Sequence, residues 1–312
     1  MRNLLIILFV AVLPLKSLAQ CCGAGNPLSS ADSEHHVGSG NLQLSVDYRY
    51  SESDKYYEGS HESDFDFPGR ISSSGYHFLL LGADYGITDR LAMRVRMGYY
   101  FNKYEDYSDE LFPDVSSKGL GDMSVGLSYV VYRHLIEGIS VSPFVMFKLP
   151  VGKFDNEKDR VKLPISMQPS SGSYKYTLGL SASWSVSPRW YLTTTNYVEY
   201  SQRIKSYRFN YKYGPLLYLS MSGFFRPVKQ VEVGGLLSYE NRGRAEEYGV
   251  ALRGTKYQQL KLAPAVAVYA DAHTKVACQV EWPLWRNVES IQMANKWAVS
   301  LKLMYNLKII GK

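Results

Sequence analysis

Cysteine is nearly missing from this chain: 312 residues contain only Cys21, Cys22 and Cys278, and their spacing matches no closed zinc pattern. Long hydrophobic runs are also missing. Beyond residue 15 no stretch approaches the roughly 20 apolar residues that a membrane-spanning helix needs, although 46% of the chain is apolar. Excess charge is small. The formal charge is +6, which falls to +4 if Arg2 and Lys16 are removed with a leader, too little to favour nucleic acid as a partner. Catalytic signatures are absent as well. No nucleophile elbow, zinc-binding helix motif or phosphate loop occurs, and His35, His36, His61, His77, His134 and His273 lie without convincing partners. No enzyme activity and no cofactor are expected.

Aromatic residues, by contrast, are abundant. They make up 14% of the chain, and 26 residues are tyrosine, a side chain whose apolar ring and polar tip suit a membrane interface. The N-terminus has Arg2, an apolar run from Leu4 to Leu15, and then Lys16-Ser17-Leu18-Ala19. A charged start, a short apolar stretch and a small-residue site read as a secretory leader over residues 1–19. Leu18-Ala19-Gln20-Cys21 is close to a lipid-attachment sequence, with Gln20 where a small residue is expected. A soft-metal role for Cys21-Cys22 with His35-His36 is the other reading of that segment. Residues 20–40 are expected to be a periplasmic segment and residues 41–312 a single domain.

That domain is built from alternation. Leu91, Met93, Val95, Met97, Tyr99 and Phe101 occupy one face of an extended strand, and Ala92, Arg94, Arg96, Gly98 and Tyr100 the other. Similar blocks recur at about 41–50, 76–87, 122–131, 139–149, 174–186, 190–201, 208–224, 231–240, 260–268, 276–284 and 297–307, with no helical block between them. Pro143 interrupts one block and predicts a bulge. Short turns such as Thr88-Asp89-Arg90 and Ser187-Pro188-Arg189 alternate with long polar connections beginning near Ser51, Glu105, Pro150, Ser201, Asn241 and Arg286. The pattern predicts an all-β fold: a transmembrane antiparallel up-and-down β-barrel of about 12 strands in the outer membrane. Its termini and short turns would face the periplasm. Lipid is therefore the first expected partner, and Cys278 reads as a small apolar residue facing it.

A Lys or Arg facing lipid at mid-depth would cost about 2–4 kcal/mol, so the charged members of these blocks must face inward. The candidates to line the lumen are Asp84, Arg94, Arg96, Asp122, Lys148, Lys175, Glu199, Lys212, Glu232, Lys261, Glu281 and Lys302, with Glu240 and Lys275 on the same faces. Two functions follow. Some of these side chains could line a path for a small solute, as charge rings do in pores. Alternatively they form ion pairs that fill a narrow barrel, leaving a structural or surface-interaction scaffold. The pattern sets no oligomeric state.

Four stretches point further: Asp84-Tyr85-Gly86-Ile87-Thr88-Asp89-Arg90-Leu91, Gly119-Leu120-Gly121-Asp122-Met123, Lys148-Leu149-Pro150-Val151-Gly152-Lys153, and Gln168-Pro169-Ser170-Ser171-Gly172-Ser173-Tyr174. In order and spacing they resemble the meta-pathway phenol-degradation family of Gram-negative outer-membrane transporters, which is allied to the long-chain fatty-acid transporters. Cys21-Cys22-Gly23 resembles the start of exported barrels in Bacteroidetes-type bacteria. The resemblance covers the N-terminal half of the domain. It implies passage of a small hydrophobic or aromatic solute and carries over no binding residue.

Overall fold

The computed structural model describes residues 37–309, apart from 65, 67, 109–111 and 207–208. The expected leader, Cys21, Cys22, His35 and His36 lie outside the described residues. Twelve long strands form the wall: β1 Asn41–Ser53, β2 Ile71–Gly86, β3 Leu91–Tyr107, β4 Val115–Tyr129, β5 Ile139–Leu149, β6 Lys175–Ser187, β7 Trp190–Ser201, β8 Leu216–Val228, β9 Val231–Arg242, β10 Tyr257–Tyr269, β11 Thr274–Ala294 and β12 Trp297–Lys308. Each pairs antiparallel with its neighbours in sequence. The ring closes where β1 pairs with β12, from Asn41↔Lys308 to Glu52↔Trp297. Closure gives every wall strand a partner on both sides, which lipid demands because it offers no hydrogen bonds to a free edge.

The alternation holds around the ring. Leu81, Phe101, Leu127, Phe147, Tyr176, Leu178, Leu180 and Leu301 are exposed on the outside, while Asp84, Arg94, Ser128, Glu199, Ser238 and Lys261 are buried within. Cys278 is a free thiol, half-buried, between Val266 and Leu301 on the outward face. Such an exterior is the surface of a membrane-spanning barrel.

Three sequence expectations need correction. The block 208–224 is not one strand. Pro215, which has no backbone donor, ends it, and Phe209–Lys212 instead joins Ile204–Ser206, Glu246–Glu247 and Val250–Ala251 in a separate sheet on the long-loop side. Lys212, opposite Glu246 in that sheet, therefore lies outside the lumen. Arg286 does not begin a loop, because β11 continues to Ala294 and pairs beyond the wall with Lys55–Gly59. The connection after Ser51 contains strands Lys55–Gly59 and His61–Ser63, and Tyr56 packs with Ile71 and Met293. Pro143 sits in unbroken register opposite Leu180 of β6. On its other edge three residues, 129–131, face only Ser142 and Pro143 between Ser128↔Phe144 and Tyr132↔Val141, and the expected bulge lies there.

The outward face gives a direct test. Leu180→Arg should destabilise the barrel by about 2–4 kcal/mol if it lies near mid-bilayer, measured by denaturant unfolding in lipid vesicles. A change below about 0.5 kcal/mol, the usual size for a substitution on a water-facing surface, would contradict the assignment of this face to lipid.

Candidate functional site

The inward faces enclose a cavity of about 100 Å³, measured as room for the centre of a water-sized molecule, reaching Val37 near the rim that carries the termini. Of the twelve predicted charged residues, six line it: Asp84, Arg94, Arg96, Lys148, Glu199 and Lys302. Gly82 lies opposite Arg96 and leaves room for its side chain to cross the sheet. A methyl group there would press on Arg96 Cδ and Ser45 Oγ. The guanidinium thus reaches Asp84 in a bidentate pair, Nη1 to Oδ1 at 2.6 Å and Nη2 to Oδ2 at 2.7 Å. Further round the wall, from β5 to β7, Lys148 Nζ meets Glu199 Oε2 at 2.9 Å. Asp47, 5% exposed, also faces the cavity, and its Oδ1 has no hydrogen-bond partner.

Four further residues turn inward but not onto the cavity. Lys261 joins Glu240 at 2.9 Å and Glu281 at 3.3 Å, and Glu281 joins Arg49 at 2.8 Å, so one ion chain links β9, β10, β11 and β1. Gln259 adds a bond of 2.7 Å to Glu240. Glu232, near the short-turn rim, accepts from Tyr191, from Tyr269 at 2.8 Å, from Lys275 at 2.8 Å and from Arg226 at 3.1 Å. Lys175 lies 4.0 Å from Glu199 and over the Tyr213 ring at 4.3 Å. Asp122 is also off the cavity, held by Ser170 and Ser171 of the 150–173 connection.

Inward aromatics are the part that a search for charge overlooks. Tyr76, Phe78, Leu80 and Tyr100 form a buried cluster on β2 and β3. Phe144, Met146, Tyr197, Tyr218 and Leu236 line the cavity elsewhere. Tyr197 and Tyr218 stack with centroids 4.8 Å apart. Their signal was present in the even positions of β2 and β5, since Phe78, Leu80 and Phe144 break an otherwise polar inward series. The cavity is consequently amphipathic, with fixed ion pairs and hydroxyls of Thr193, Thr195, Ser220 and Ser222 beside apolar rings.

On the long-loop side a smaller pocket is lined by Ser51, Ser53, Ser74, Tyr76, Lys103, Glu105, Ser166, Met167 and Asn295. It shares no lining residue with the larger cavity, and the Tyr76–Tyr100 cluster spans from one to the other. Outside the membrane on this side, Arg244 Nε donates to Glu289 at 2.5 Å and holds that carboxyl below its usual range. Among the described residues no three of His, Cys, Asp and Glu are grouped as a metal site would require.

A closed twelve-stranded wall, oily outside and hydrated and partly aromatic within, defines an outer-membrane β-barrel. More narrowly, residues 49–301 match the family described as "Putative MetA-pathway of phenol degradation", and the chain belongs to it. The fold is similar to that of an outer membrane channel from Pseudomonas putida F1, with TM-score 0.72 and 14% identity over 89% of this chain and 100% of that one. The KdgM porin in complex with disordered oligogalacturonate matches with TM-score 0.45 and 11% identity, over 84% and 98% of the two chains. The translocator domain of the autotransporter NalP from Neisseria meningitidis matches with TM-score 0.49 and 7% identity, over 86% and 89%. No curated protein matches.

The ion chain predicts a specific coupling. Lys261→Met should cost about 3–5 kcal/mol, because it leaves buried carboxylates short of a cation. Adding Glu240→Gln should recover part of that loss. Equal unfolding midpoints for the single and double variants in urea would show the groups to be uncoupled.

Proposed function

We propose that this protein is an outer-membrane channel that passes a small solute through the barrel lumen. The observation that carries the reading is the cavity that the inward faces leave open inside a wall of only twelve strands, lined by charged, hydroxyl and apolar side chains together. A barrel of this size exceeds the filled interior of an eight-stranded one and falls short of a wide porin, so it suits a narrow, selective conduit. Its lining supports a solute with an apolar or aromatic body and a polar group. Leu80, Phe144 and Leu236 offer apolar contact, and the hydroxyls and fixed charges offer partners for the polar group. Membership of a family described by phenol degradation and likeness to a P. putida channel point the same way.

Within this reading, Asp84, Arg94, Arg96, Lys148, Glu199 and Lys302 contact the solute path. Lys175, Glu232, Lys261 and Glu281 act as wall braces. A second reading has one observation in its favour: the mouth on the long-loop side is covered by infolded chain, as in a non-conducting scaffold that meets a partner only at its surface.

Conductance in planar bilayers and liposome swelling separate the two. A channel should show discrete conductance steps, and Arg94→Ala should change their size and ion preference by removing a lumen charge. Absence of flux for ions and for small neutral aromatics, in protein shown to be inserted, would sink the channel reading in favour of the scaffold.

A further inference from the structure

Three of the stretches singled out in the sequence, Gly119–Met123, Lys148–Lys153 and Gln168–Tyr174, meet at one place in the fold. Above Met123↔Leu149 the β4–β5 ladder ends, and the upper part of β4 has no strand partner on that side. The connection 150–173 folds inward along this edge. Gly152 packs directly on the Leu120 carbonyl, where any side chain would collide with it. Gln168 braces the segment from within, with Oε1 accepting from Asn156 N at 3.0 Å and Nε2 donating to Leu163 O at 2.9 Å. Its tip is deeply buried: Met167 is 1% exposed, and Met167 O accepts from Ser117 Oγ on β4. Ser166 and Met167 then share the upper pocket with Ser51 and Ser53 of β1 and with Asn295. The segment therefore reaches from the β5–β6 side across to β1, over the lumen.

Ser117, Lys103, whose Nζ donates to Gln168 O at 3.4 Å, and Glu105, which accepts from Ser166 Oγ at 3.4 Å, hold its inner end to the wall, and one carboxylate, Asp122, fastens its outer end. Asp122 Oδ1 accepts from Ser170 Oγ at 2.7 Å and Ser171 N at 2.9 Å, and Oδ2 accepts from Ser171 Oγ at 2.5 Å. The segment's own short strands, Glu157–Lys158 and Val161–Lys162, pair only with each other. Releasing it breaks side-chain contacts and no ladder of the barrel wall.

We propose that residues 150–173 are the extracellular gate of the lumen and that Asp122 is its latch. The inference rests on the channel reading. In a closed state the segment caps the upper pocket; on release a solute reaches the Tyr76–Tyr100 cluster and the larger cavity below. Asp122's three bonds are all to an ionised acceptor and so stronger than the neutral contacts beside them, and losing them shifts the balance toward opening.

The test compares the full chain, Asp122→Asn and the double variant Asp122→Cys/Ser171→Cys in planar bilayers, with trypsin cleavage at Lys158, Arg160 and Lys162 in proteoliposomes as an independent report on the segment. Asparagine keeps the shape but places a donor where Ser171 needs an acceptor. Asp122→Asn should raise open probability about tenfold and speed cleavage. The cysteine pair should be closed when oxidised and conduct when reduced, which keeps the proposal testable if Asp122→Asn folds poorly. Equal conductance and equal cleavage for the full chain and Asp122→Asn, or conduction by the oxidised pair, would overturn the latch and leave the channel standing. Faster cleavage with no ion flux in any variant would overturn the channel reading, and the gate with it.

Discussion

The structure depends on pairing β1 with β12. Twelve residue pairs join the first and last strands, and without that seam two strands would present unpaired backbone groups to hydrocarbon. Each such group costs several kcal/mol in a medium without water. The seam converts a linear meander into a surface with no edge, and the remaining features follow from it. The outward residues can be oily because nothing polar is left exposed between them. The inward residues can be charged because closure creates a second, hydrated environment.

Inside, closure brings together charges that are far apart in sequence. Arg49 and Glu281, separated by 232 residues, meet at 2.8 Å because β11 and β1 flank β12. Glu240, Lys261 and Glu281 sit on three successive strands and alternate in sign, so each carboxylate has a cation beside it. Such a chain adds little to net stability relative to apolar packing, but it penalises any slip of register, which would leave a charge buried alone. Part of the inward charge therefore fixes the wall, while Arg94, Arg96 and Lys302 border open space.

Much of the barrel was legible in the sequence, because lipid outside and water inside impose a period of two on every strand. Leu178, Leu180 and Trp184 against Thr177, Ser181 and Ser183 is such a case: two environments write themselves into alternate positions of β6. The same logic misplaced Lys212, since alternation continues into Phe209–Lys212 even though Pro215 detaches that piece from the wall. It gave no sign of what Asp122 holds, because its partners Ser170 and Ser171 lie nearly fifty residues away in a connection that shows no periodicity. The inward rings of Phe78, Tyr100 and Tyr218 went unnoticed as a group because each sits alone in its own strand.

By itself the sequence determined a barrel of about twelve wall strands, the face that most of their side chains take, and which rim carries the short turns. These are local consequences of placing a pleated strand between two solvents. Only the tertiary structure decided which charges pair with one another, where empty space remains in the lumen, and that residues 150–173 fold over it. Those features depend on contacts between strands and a connection distant in the chain, and no local period encodes a distance across a barrel.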